Sequence, residues 1–205
     1  MTGSLLLLLV SALFCWSARP SSQKEWSGEK AADFAAGLII AVAAGGEIFG
    51  AATGNDAAET LLYGLAWYAA LPLVVLVRTM QAAQVMGAGE YCYWDRVIWG
   101  RILLVLCVVF ELARRSGVAE LIPAISAVIG AASLLAWSLK PRLFMGQKFL
   151  VASLWGIVTF TYLTHGYERF SYERLRSSVE LTYLAIPLVI LLYQTSLHHR
   201  QQVKK

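Results

Sequence analysis

Four ionisable residues lie inside long apolar runs: Glu47, Arg101, Glu111 and Glu180. Placing such a group in the middle of a bilayer costs roughly 2.5–3.5 kcal/mol on insertion scales, so each is a candidate for function. Simpler roles compete with that reading. Arg101 and Arg78 carry stems long enough to snorkel to the inner membrane surface. Glu111 is close to Arg114 and Arg115, which suits an interfacial ion pair. Glu180 opens the last apolar run, near the outer surface. Glu47 is the deepest, midway along AVAAGGEIFGAATG, and a carboxyl group there needs a partner. Glu47, Glu180 and Arg101 together form the candidate intramembrane polar site.

Other chemistry has no footing. The chain lacks HExxH, GxSxG and GxxxxGK[ST] patterns. His198 and His199 sit in the basic tail, and His165 stands alone at a span end, so no axial haem pair exists. Cys15, Cys92 and Cys107 are far apart and form no CxxC, which leaves no metal set or disulfide framework. The expectation is a protein that is not an enzyme, with no metal and no catalytic residue.

The elements that carry these residues are apolar helices. Of 205 residues, 58% are hydrophobic and 15% charged, and mean hydropathy is +0.60. Soluble chains carry about a quarter charged residues, so the deficit argues against an ordinary soluble globular domain and against disorder. The net charge of +4 is scattered between apolar runs without a basic stripe, which argues against nucleic acid. A bilayer core of about 30 Å needs ~20 apolar helical residues. Seven spans qualify, at 4–18, 33–53, 58–78, 97–113, 118–139, 147–165 and 178–197. The fold class expected is an all-α membrane protein, a seven-transmembrane-helix bundle forming a single domain over 1–205.

Charge orients it. With the N-terminus outside and the C-terminus cytoplasmic, the inner segments hold Arg19, Lys24, Lys30, Arg78, Arg96, Lys140, Arg142, Lys148, Arg200, Lys204 and Lys205. The outer segments hold Arg114, Arg115, Arg169, Arg174 and Arg176, so the positive-inside rule favours this arrangement. A plasma (inner) membrane is the expected location. A cleaved signal over the first run would leave six spans, although no Lys or Arg precedes it. Links are short, so neighbouring spans run antiparallel, and the longest inner connection is 79–96. Small residues at Ala44–Gly45–Gly46 and Gly50–Ala51–Ala52 permit close helix approach, within the bundle or to a second copy.

Aromatic residues complete the pattern. Trp67, Tyr68, Trp155 and Tyr162 fall well inside spans, whereas Trp94 and Trp99 fall at the inner interface. The third span reads Ala66-Trp67-Tyr68-Ala69-Ala70-Leu71-Pro72-Leu73-Val74-Val75-Leu76. This resembles the microbial (type 1) rhodopsin pattern D-W-x-x-T-T-P-L-L-L-L, with Trp67 and Pro72 at the same spacing. Leu154-Trp155 resembles L-W-S-x-Y-P, and Tyr162 falls where many members carry a second pocket aromatic. Lys30-Ala31-Ala32-Asp33-Phe34 resembles the start of that family's second helix. Glu180-Leu181-Thr182-Tyr183-Leu184 lies over D-x-x-x-K, followed by the similar run Leu188–Leu192.

The resemblance implies a seven-helix bundle with a retinal-pocket equivalent at Trp67, Pro72, Trp155, Tyr162 and Leu184. The departures decide function. The Schiff-base lysine position is Leu184, and the lysines at 24, 30, 140, 148, 204 and 205 all lie at or beyond inner span ends. A Schiff base needs an amine, so covalent retinal is excluded. The counterion position is Ala66, and the paired threonines are Ala70 and Leu71. Loss of lysine and counterion together is coherent, because a buried Asp without the cation would be unpaired. Glu180 keeps a carboxylate at the second counterion position.

The leading expectation is a rhodopsin-like membrane protein that is not a light-driven pump. It would act in an accessory, sensory or partner-binding role, with lipid, a protein partner or a second copy. One alternative is a non-covalent binder of retinal, a carotenoid or another apolar ligand, held by burial alone. Another is a small-solute or proton-coupled transporter, with Glu47, Glu180 and Arg101 on its path and Pro72 and Pro187 breaking two spans.

Overall fold

A computed structural model of the chain describes residues 2–20, 26–53, 56–85, 94–118 and 121–138, with 185, 188, 189, 191 and 192. Among the described residues every regular element is helical and none is a strand. The helices are α1 (Thr2–Ala18), α2 (Gly28–Thr53), α3 (Asp56–Leu65), α4 (Leu71–Val85), α5 (Arg96–Ser116) and α6 (Leu121–Ser138). A π-helical segment, Ala66–Ala70, joins α3 to α4. Two stretches of 23 residues, Gly28–Gly50 and Leu61–Ala83, are long and apolar enough to cross a membrane. At 1.5 Å per residue each covers about 35 Å, against a hydrocarbon core of about 30 Å. The apolar stretch of α1, Gly3–Ala18, is shorter.

The expected span at 4–18 falls in α1, 33–53 in α2, 97–113 in α5, and most of 118–139 in α6. The span at 58–78 is built from α3, the π segment and α4. Two boundaries move by more than a turn. α2 begins at Gly28, before the expected 33, and α4 runs to Val85, about two turns beyond 78. Charged and amide side chains continue both helices because they meet one another there. The span at 147–165 and most of 178–197 lie outside the described residues; within the latter, Ala185, Leu188 and Leu191 are helical and buried.

Local sequence explains the ends of α5. Asp95 is the N-cap, in extended conformation, and its carboxylate accepts the Arg96 amide at 2.6 Å. Gly117 closes the helix with φ +74, a conformation that glycine adopts without a Cβ penalty. In the last turn Arg114 and Arg115 complement the helix dipole, and both donate to Glu111, at 2.8 and 2.9 Å. The ion pair expected for Glu111 is therefore present.

Close backbone approach organises the packing. A Cβ at Gly37 would lie 2.8 Å from Cys15 Sγ and 2.9 Å from the Phe14 ring, so α1 seats directly on α2. A Cβ at Gly46 would lie 2.6 Å from Leu62 Cδ1, and one at Gly64 would lie 2.8 Å from Phe110 Cζ. Gly46 is thus used for packing within the chain, whereas a Cβ at Gly45 would meet open space. Trp26 donates to the Ala18 carbonyl at 2.9 Å and meets the Phe34 ring edge-on, which ties the C-terminal end of α1 to the first turns of α2.

Candidate functional site

Asp33 and Arg78 form a buried ion pair at 2.6 Å, each side chain 9% exposed. Both come from the same end of an antiparallel helix pair, the first turns of α2 and the last turns of α4. Glu29 and Asp33 are one turn apart on α2, and Arg78 and Gln81 are one turn apart on α4. Arg78 also donates to Gln81 Oε1 at 2.8 Å, and Gln81 Nε2 donates to Glu29 Oε2 at 2.8 Å. The result is a four-residue polar cluster across two apolar helices. It is incompletely satisfied: among the described residues Asp33 Oδ1 and Arg78 Nε are buried without partners.

This corrects the snorkelling expected of Arg78. The side chain does not reach to the surface, because a carboxylate waits beside it across the α2–α4 interface. Asp33 entered the sequence reading only through resemblance. A usable signal was present: Glu29 and Asp33 open a span at the inner end, and Arg78 and Gln81 close the next one at the same height. Thr79 adds a third tie, its hydroxyl 2.9 Å from that of Ser133 on α6. Each hydroxyl has one proton, so one donates across to the other while the other donates to its own carbonyl one turn back, Val75 for Thr79 or Ile129 for Ser133.

The π segment sits at the centre of the same rod. Leu71 N–H reaches back to the Ala66 carbonyl, five residues away. Pro72 causes this locally: it has no N–H to give the Tyr68 carbonyl, and its ring crowds that oxygen in a regular helix. The wider turn relieves the clash. All five π residues are buried, and Tyr68 stacks on Phe110 of α5 with centroids 4.5 Å apart. Trp67 and Pro72 therefore adjoin one another at a backbone irregularity, and Ala66 beside them is fully buried. Trp67 Nε1 has no partner among the described residues.

Glu47 is buried at 7% exposure, with Oε2 unpartnered among the described residues. It lies on the same α2 face as Asp33 and Ile40, two heptads from Asp33 and about 21 Å away along the axis. It stands nearer the Thr53 end of α2 than the middle, because the helix stops six residues on. Replacing this group by Leu removes an unsatisfied buried polar atom. The Glu47→Leu protein is expected to gain about 1–2 kcal/mol in unfolding experiments. A lower midpoint would mean that the carboxyl group has a stabilising partner.

The other candidates do not join Glu47. Arg101 is exposed on the outer surface of α5. Glu180, Trp155, Tyr162 and Leu184 lie outside the described residues. Among those that are described, no cluster of three His, Cys, Asp or Glu residues could hold a metal. Trp99, buried at 2% exposure, packs on Trp94 with centroids 5.5 Å apart and closes over Gly28. These tryptophans thus brace the N-terminal ends of α2 and α5 against each other.

The arrangement defines a class no narrower than an apolar helical protein with an internal polar cluster. No family model matches the chain, nor does any curated protein or solved structure.

Proposed function

We propose that this chain is an integral membrane protein, a rhodopsin-like seven-helix bundle without covalent retinal, serving an accessory, sensory or partner-binding role. The observation that carries the membrane reading is the outward face of the helices. Leu9 is 61% exposed, Phe49 69% and Leu104 67%, with Leu13, Val108 and Ile125 among many others. Soluble monomers rarely expose contiguous apolar surface beyond a few hundred Å², and acyl chains are the natural cover for these faces. The distribution of Lys and Arg supports an orientation with the N-terminus outside and the C-terminus inside, and the reading includes a plasma (inner) membrane as its location.

The non-photochemical reading rests on chemistry at two positions. Ala66, buried beside Trp67, offers no carboxylate to accept a proton. Leu184 offers no amine to form an imine. The protein is expected to leave membranes only with detergent and to show no visible absorbance band, before or after addition of all-trans retinal. A structured or shifted band would replace this reading with non-covalent polyene binding. The aromatic residues at the π segment favour that second reading, since burial against Trp67 and its neighbours could hold a polyene. Recovery in the aqueous fraction would overturn the membrane assignment itself.

A further inference from the structure

Among the described residues three polar ties hold α4 to its neighbours, and all lie on one side of the π segment. They are Arg78 to Asp33, Gln81 to Glu29 and Thr79 to Ser133. On the other side α3 is held by close apolar packing, Leu62 on Gly46 and the Phe110 ring on Gly64. We propose that the Asp33–Arg78 and Glu29–Gln81 contacts form a releasable latch, with the π segment and Pro72 as the hinge on which α4 swings. This goes beyond the functional reading above and does not depend on the rhodopsin resemblance.

Two physical features make the element bistable. At the hinge, Pro72 has already removed one helical hydrogen bond, and the π turn has replaced the regular register at Ala66 and Leu71. Bending there sacrifices less than bending elsewhere in the rod. At the latch, the closed state is imperfect, since Asp33 Oδ1 and Arg78 Nε are buried without partners among the described residues. An open state in which water or lipid head groups reach the cluster satisfies both, which narrows the gap between the two states. The cluster lies in the first turns of α2 and the last turns of α4, so a modest swing is enough. It would uncover Ala82 on α4 and Ala32 and Ala36 on α2, all now buried.

The test reads thiol accessibility in full-length protein in its membrane, with Cys15, Cys92 and Cys107 replaced by Ala. One reporter is Ala82→Cys, beyond the hinge. The other is Ala43→Cys, buried on α2 away from the latch. With Asp33→Asn, labelling of Ala82→Cys by a water-soluble maleimide is expected to rise about tenfold, as an open state moves from minor to substantial population. Labelling of Ala43→Cys should stay unchanged, and adding Pro72→Ala should reverse most of the rise by stiffening the rod. No rise at Ala82→Cys overturns the latch. Equal rises at both reporters also overturn it, because the pair then supports the whole bundle. Gln81→Leu, which leaves the ion pair in place, guards against collapse of the fold. It should raise labelling at Ala82→Cys alone, and unchanged or parallel labelling overturns the proposal.

Discussion

Arg78→Leu is expected to cost about 3–5 kcal/mol of stability, measured by unfolding in mixed micelles. The loss comes less from the attraction removed than from what remains. Asp33 would be left buried with neither oxygen paired, and Gln81 Oε1 would lose its donor. An uncompensated charge is the costly product, so Asp33→Asn should recover part of the loss when combined with Arg78→Leu. Replacing the pair by Asp33→Leu with Arg78→Met should be far milder than Arg78→Leu alone, since a well-packed apolar pair avoids desolvation altogether. Arg78→Lys should not substitute fully. The guanidinium reaches Asp33 and Gln81 through separate nitrogens in a fixed fork, and an ammonium offers a single point charge. A double-mutant cycle showing additive losses for Asp33 and Arg78 would mean that the two side chains do not interact.

Phe110→Ala is the second large effect, with an expected loss of about 3–5 kcal/mol. The ring is 5% exposed, stacks on Tyr68 at 4.5 Å and occupies the space left by Gly64. Removing it opens a cavity beside the π segment, where the backbone is already irregular and least able to close in. Gly64→Ala in the otherwise unchanged protein should also destabilise, by about 1–3 kcal/mol, because its Cβ would stand 2.8 Å from Phe110 Cζ. Combined with Phe110→Ala, the same Cβ partly fills the cavity. The two losses should therefore be strongly non-additive, with the double variant no worse than Phe110→Ala. Additive losses would separate Gly64 from the ring and undo this account of how α5 seats on the rod.

Residue order alone placed the described helices, because long apolar runs with scarce charge favour a backbone that satisfies its own hydrogen bonds. The caps of α5 were equally local: Asp95 before the first turn, Gly117 after the last, and Glu111 within a turn of Arg114 and Arg115. That Leu184 carries no amine and Ala66 no carboxylate is also a property of the sequence, since no packing can supply a functional group a side chain lacks. Tertiary structure decided the partners. Arg78 reads as a surface-seeking side chain until α2 brings Asp33 to 2.6 Å, and Gly46 reads as a close-approach position with no named neighbour until Leu62 meets it. Each outcome depends on which faces of separate helices meet and at what height. Periodicity along one helix does not contain that information, because the free energy of an ion pair or a close approach belongs to two elements at once.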